Sequence, residues 1–279
     1  MLVIDCHAHI YSFDEKRYPP RENPFRPPNG VGSVEHLRQV SQAAGVSAVR
    51  AIQTVTFYGY DNSYLCDSAH AHPDWVSGVC TLEPDDPRSP GLLRKFIREY
   101  GVRSLRSIPS PRAKSFDDAS VRALWKIAVD EGITIDLFLM QYAMIESASK
   151  MMREFPSLTY GFCHCMDLKP GLDLQRNLKG VLDLARFKNL HAKVDFIGTG
   201  TQQLYPCADL HGPMMQVIRA YGPERCLWTS SYPNEIWTPK ISYAEHLRIF
   251  TEALPLNDSE RKLIVGENAR KIWFKNSAL

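Results

Sequence analysis

The sequence predicts a (β/α)8, or TIM, barrel in one domain over residues 1–279. Strand-length apolar runs alternate with amphipathic helical stretches eight times, more often than a doubly wound sheet of five or six strands needs. The length of 279 residues suits a fold of typically ~250. The polar residues able to do chemistry fall at strand ends, where such barrels keep their active sites.

The first strand is the opening run MLVIDC, ending in Asp5-Cys6-His7-Ala8-His9. Residues 11–30 then hold five of the 19 prolines, which excludes helix and predicts a long loop of the kind that usually serves function. From Ser33 the alternation sets in: helix Ser33–Ala44, strand Ala48–Thr54, helix Asn62–Ala71 stopped by Pro73, strand Trp75–Thr81, helix Gly91–Tyr100 and strand Val102–Ile108. Helix Ala119–Glu131 leads to strand Thr134–Leu139, helix Met144–Phe155 to strand Leu158–Cys163, helix Leu172–Leu184 to strand Leu190–Phe196, and helix Pro213–Tyr221 to strand Cys226–Thr229. Tyr243–Thr251 and Ser259–Phe274 close the chain as helices, and no linker divides it.

Composition removes several function classes. With 33 Lys and Arg against 31 Asp and Glu, a net +2 and 44% hydrophobic residues, the chain is a globular domain with no basic stripe for a nucleic-acid backbone. Apolar runs such as Gly132–Met140 are about half of the ~20 residues a membrane span needs, and Asp136 interrupts that one. The start of the chain has no basic leader, and the seven cysteines show no disulfide or zinc spacing, so the expected setting is cytoplasmic with reduced thiols. The expected partner is a small molecule, neither nucleic acid nor membrane; oligomeric state is open, a homodimer being one option.

Strand periodicity puts Asp5, His7 and His9 on one face at the barrel mouth. His164, in Phe162-Cys163-His164-Cys165-Met166-Asp167, brings a third imidazole to the same rim. Paired imidazoles there make half of a metal or oxyanion site, whereas His70 and His72, at the same spacing on a helix, share no face and are expected in solvent. In the seventh strand Lys193 and Asp195 alternate inward, with His191 deeper. A lysine in that place needs a partner, either Asp195 or a substrate carboxylate.

These segments make the chain resemble the amidohydrolase superfamily, in particular the amidohydrolase-related branch that contains pyrone-dicarboxylate lactonase and the sugar lactonases. The marks, spread over nearly the whole chain, are D-x-H-x-H at Asp5, His7 and His9, the H-M-G-like segment at His164, Lys193, G-P-E-R-C-L-W-T-S-S-Y-P at Gly222–Pro233, and E-N-A-R-K-I-W at Glu267–Trp273. The resemblance implies that His7, His9 and His164 polarise a substrate carbonyl, directly or through one divalent metal (zinc or manganese), while Lys193 and Arg106 orient the substrate. Relatives with the full set also work without metal, so metal dependence stays open.

One departure bears on the reaction. The family's eighth strand reads G-S-D-Y-P or G-T-D-W-P, and its aspartate, which takes the proton of the attacking water, is Ser231 here. A serine hydroxyl cannot act as that base. Either another carboxylate substitutes, with Asp195 and then Asp167 as candidates, or the reaction needs no water, or the change disables the enzyme. Gly101–Arg106 (GVRSLR) resembles the family's G-x-R-G-x-R, and Arg112 has the spacing of a further arginine, so the two are expected to clamp an acidic substrate; for Arg112 surface charge is an equal reading. The lactonase's remaining arginines fall on Asp167 and Thr199, which disfavours a dicarboxylate. Tyr58 replaces a family histidine, and with Tyr11, Tyr18, Phe25, Trp228, Tyr232 and Trp237 it suggests an aromatic-lined pocket. His211 is a further acid–base candidate, or a solvated helix start. The expectation is thus a hydrolase of a small cyclic ester or carboxylic acid. The alternatives are a decarboxylase, cyclase or dehydratase on the same site, or an inactive or engineered barrel that still binds ligand.

Overall fold

The computed structural model describes residues 1–275. Eight parallel strands, β1 (Ile4–His9), β2 (Ala48–Ile52), β3 (Val76–Thr81), β4 (Ser104–Ser107), β5 (Thr134–Leu137), β6 (Tyr160–Phe162), β7 (Leu190–Lys193) and β8 (Cys226–Leu227), pair in sequence order. The ring closes where the Ser231 amide donates to the His7 carbonyl at 3.0 Å and the His9 amide to the Tyr232 carbonyl at 2.8 Å. The predicted (β/α)8 barrel is therefore the observed fold. Nearly every strand residue is buried, as it must be when helices cover one face and side chains fill the other.

The helices form where composition and caps direct them. Helix Val34–Ala43 starts at Ser33, whose hydroxyl accepts from the His36 amide, and buries Val34 and Leu37. Helix Ala119–Asp130 starts at Asp118, capped onto Ser120, and turns Val121, Leu124, Trp125 and Ala128 inward at helical spacing. Each Leu, Val or Ile so buried contributes about 1.5–3 kcal/mol relative to exposure. Residues 11–30 contain no helix or strand, as their prolines require.

Several strands, such as β4, β6 and β8, are shorter than predicted, the helix predicted over Tyr243–Thr251 is α-helical to Arg248 and a π-helix from Ile249, and two further elements differ in kind. The seventh strand was expected to reach Phe196 but stops at Lys193; Asp195 begins a short helix, Phe196–Gly200. The apolar letters of that stretch pack the helix between neighbours, not a strand into the sheet. A side chain at Gly198 would strike His246, and one at Gly200 the Leu168 carbonyl. The closing helix expected over Ser259–Phe274 is Asp258–Lys262 and Asn268–Trp273 joined by a π-turn at Leu263–Glu267, where Gly266 presses on the Leu2 carbonyl.

The barrel floor is polar and paired. Arg50 on β2 forks onto the two oxygens of Asp136 on β5 at 3.0 and 3.2 Å, Lys193 on β7 bonds the same carboxylate, and all three are fully buried. Gly161 on β6 leaves the room, since a Cβ there would press on both Asp136 and Lys193 at 3.2 Å. Trp273 closes the floor, its ring 3.5 Å from the Arg50 guanidinium carbon and its Nε1 donating to Thr134.

Candidate active site at the barrel mouth

The register of β1 against β2 shifts between Asp5 and Ala8, so the alternation expected for Asp5, His7 and His9 breaks. The Asp5 carboxylate accepts from the Ser230 amide and hydroxyl and from Tyr243, away from the two imidazoles. Burial pushes its carboxyl up to about 6, against those hydrogen bonds. His7 and His9 meet Nε2 to Nε2 at 3.2 Å, and burial first, then neighbouring charges, holds both rings well below the usual histidine range. His9 faces the Ile52 carbonyl through Nδ1 at 3.1 Å, so that nitrogen carries its hydrogen and Nε2 is left to accept from His7. His7 Nδ1 is then a bare lone pair, buried and without a partner.

His164 lies past the end of β6 in a left-handed turn. Four successive non-glycine residues, His164, Cys165, Met166 and Asp167, have φ of 58, 43, 61 and 49°. Each costs about 1–2 kcal/mol, and such strain concentrates where side chains must be aimed. The His164 ring stands 4.5 Å from that of His7, and its Nδ1 donates to Asp195 Oδ2 at 2.6 Å, which leaves Nε2 for the cavity. Ser231, also left-handed at φ 54°, donates to the same Asp195 oxygen at 2.5 Å. Ser231 and His164 thus meet on one carboxylate, that of the sequence-predicted candidate Asp195. Burial would raise the Asp195 carboxyl, but His164 and the hydrogen bonds from His164 and Ser231 outweigh it and hold it below its ordinary value. Its Oδ1 is buried without a partner.

One atom each from His7, His164 and Asp195 lies within 4.8 Å of the others, a group able to hold a metal ion. This group shares His7 and His164 with the expected set of His7, His9 and His164 and adds Asp195, while His9 faces the Ile52 carbonyl through Nδ1 and His7 through Nε2. An orphaned Nδ1 on His7 and an orphaned Oδ1 on Asp195 are acceptors that a divalent cation would satisfy, so these residues fit one.

A cavity of about 660 Å³ opens over this cluster, lined by His9, His164, Ser231, Arg106, Asp167 and Trp237 among apolar side chains. Arg106 is 6% exposed; its Nε donates to Thr81 at 2.9 Å and one terminal nitrogen to the Gln53 carbonyl at 2.8 Å. No carboxylate among the described residues pairs with it. The loop of residues 11–30 closes one side: Phe25 packs on Trp237, and Trp237 on His9, with ring centroids 5.3 and 5.6 Å apart.

Other sequence candidates lie elsewhere. Lys193 pairs with Asp136 in the floor, neither with Asp195 nor in the cavity wall, because β5 presents its carboxylate directly across Gly161. Arg112 is 75% exposed beside Asp85, its solvated charge needing no ligand. Tyr58 accepts from the Ser12 amide and packs with Tyr11, Tyr18 and Phe57, pinning the loop. Tyr232 bonds His36 and the Gly32 amide, and His211 faces the Pro206 carbonyl. Of the aromatic residues expected at the mouth, Trp237 lines the cavity, joined by Phe138; Trp228 is buried against Tyr243 and His246. Sequence reasoning missed Arg50 and Asp136. Their signal was available: a charge in the middle of each of two otherwise apolar strands, AVRAI and TIDL.

All seven cysteines are free and buried, and no helix among the described residues is long and apolar enough to cross a membrane. The profile of the family described as Amidohydrolase matches residues 4–275. No curated protein matches the chain. Among solved structures, the fold is similar to that of a candidate 2-pyrone-4,6-dicarboxylic acid hydrolase from Pseudomonas putida, with TM-score 0.77, 22% identity and coverage of 99% of this chain and 98% of that one. A zinc-bound amidohydrolase from Burkholderia multivorans gives 0.75 and 17% over 98% and 99%. A 5-carboxyvanillate decarboxylase from Sphingomonas paucimobilis gives 0.63 and 14% over 98% and 99%.

Proposed function

The chain belongs to the amidohydrolase family, and from that premise we propose that it hydrolyses a small cyclic ester carrying a carboxylate on a largely apolar ring. The observation that carries this reading is Arg106, a buried guanidinium without a carboxylate partner in the wall of the cavity that His164 enters. Burying a cation alone is costly, and a substrate carboxylate would relieve that cost in the bound state. Arg106 is the one Lys or Arg lining that cavity, which favours one anionic group over two.

In this reading His164, its Nδ1–H held by Asp195, uses Nε2 to take a proton from water as the water oxygen adds to the ring carbonyl. The ester C–O bond then breaks, and His164 returns the proton to the departing alkoxide, giving a hydroxy acid. Ser231 fixes Asp195 by donating to it, and the apolar walls exclude bulk water. A divalent ion, zinc or manganese, held by His7, His164 and Asp195 would take the Nε2 lone pair of His164 and, in place of this imidazole base, would supply Lewis acidity toward the carbonyl and the water. Buried free thiols and balanced charge support a cytoplasmic enzyme whose partner is a small molecule.

The test is a panel of lactones bearing no, one or two carboxylates, assayed with wild type and His164→Asn. Turnover that favours the monoanions and disappears in the variant is expected. Equal turnover of neutral and monoanionic lactones, or none of any, would sink the proposal. A second reading, decarboxylation, draws on Ser231, since without an acid at that position water is activated only through His164. Release of CO2 from aromatic carboxylates, with no lactone opened, would replace hydrolysis by it.

A further inference from the structure

We propose that the cavity selects substrates carrying a hydrogen-bond donor, a hydroxyl or an ammonium, on the ring in addition to the carboxylate, and that Asp167 is the selecting residue. This rests on the reading of Arg106 as the anion subsite and extends it to a second charged group lining the same cavity.

Asp167 and Arg106 line the same cavity without forming an ion pair, and the apolar part of its lining is Val55, Ile108, Pro109, Pro111, Phe138 and Met140. Charged groups therefore stand apart in an apolar box, where each acts at reduced dielectric on whatever lies between. Asp167 Oδ1 accepts from the Thr199 hydroxyl at 2.8 Å. Its second oxygen has no hydrogen-bond partner, and no Lys, Arg or His pairs with the carboxylate, among the described residues. A carboxylate in that position accepts from a donor and disfavours a second carboxylate beside it.

The backbone supports a selected position. The strained turn at His164–Asp167 turns two side chains, His164 and Asp167, into one cavity, and no glycine relieves it. From the far side, helix Phe196–Gly200 holds both ends of this turn: Asp195 at its start takes His164, and Thr199 takes Asp167. Gly200 lets that helix approach the Leu168 carbonyl that follows. One rigid element thereby positions the base and the donor-reading carboxylate together.

The experiment measures equilibrium binding, which needs no turnover, of cyclohexanecarboxylate and its 3-hydroxy, 3-amino and 3-carboxylate derivatives to the full chain by calorimetry. The amino and hydroxy acids are expected to bind about ten- to hundredfold more tightly than the parent, and the dicarboxylate more weakly. Asp167→Asn should abolish the amino preference while retaining part of the hydroxy preference. Thr199→Val should weaken the same preference less, and Arg106→Met should weaken all four ligands together. Equal binding of parent and donor-bearing acids, tightest binding of the dicarboxylate, a uniform loss in Asp167→Asn, or no binding of any ligand would overturn the proposal. If the donor preference holds while no lactone is opened, the hydrolase reading fails and the selectivity stands.

Discussion

The floor and the mouth of this barrel bury the same kinds of charge and treat them differently. In the floor, Arg50 and Lys193 share Asp136, and Trp273 covers the group from below. At the mouth, among the described residues, Arg106 has no carboxylate partner, Asp195 and His7 each keep an orphaned acceptor, and four residues in a row hold left-handed backbone. Buried polar groups left unmet cost about 1–3 kcal/mol each; the floor group leaves Arg50 Nε unmet, whereas the mouth leaves two acceptors and a guanidinium without a counter-ion, so the mouth spends more stability than the floor. The difference separates charges that hold the fold from charges placed for a ligand, which residue type alone does not do.

The largest effect that would break this contrast is at His164. His164→Asn should lower kcat about 10²- to 10⁴-fold with little change in the urea midpoint; a loss of stability without loss of turnover would move His164 to the structural side. Next, Asp136→Asn leaves two buried cations facing a neutral amide and should cost about 3–5 kcal/mol of stability, read by urea denaturation. Arg106→Met should do the reverse: stability equal to or above wild type, with kcat/KM down about ten- to hundredfold through KM. If Arg106→Met destabilises as much as Asp136→Asn, the mouth and floor are not distinct.

The smallest effect is in pH. His246, buried behind helix Phe196–Gly200, is held down at about 4 by burial. The folded chain therefore refuses a proton that the unfolded chain takes, so its contribution to stability is complete above pH 6.5 and declines as pH falls toward 4. Asp136 is the opposite case: burial acts to raise it, but Arg50 and Lys193 prevail and lower it, so the floor's contribution is lost only below the ordinary carboxylate range. Between pH 7 and 5, wild type should lose roughly 2 kcal/mol from His246, and His246→Gln should reduce the slope in urea midpoints by that share, the depressed His7 and His9 keeping theirs. An unchanged slope would place the acid sensitivity elsewhere.

Much of the site was legible because β-barrel chemistry sits at strand ends. His7, His9, His164, Arg106 and Ser231 all line or adjoin the cavity. What misled was periodicity carried past its range: the bulge in β1 removed Asp5 from the histidine face, and the end of β7 at Lys193 made Asp195 a helix start whose carboxylate turns to His164. Arg112, Tyr58, Tyr232 and His211 have the residue types of a binding site, and local contacts in loops and helix ends use them instead.

The sequence by itself determined the eight-fold alternation, the barrel and the set of polar residues near its mouth, because hydrophobic period and helix caps are local properties. Which charge meets which was decided only by tertiary structure. Lys193 finds Asp136 57 residues away, across a glycine, Asp195 at the neighbouring strand end receives both Ser231 and His164, and Arg106 meets neutral groups and, among the described residues, no carboxylate. Closing the ring brings strands distant in sequence to one axis, and the low dielectric there turns each pairing, or its absence, into a strong energetic choice.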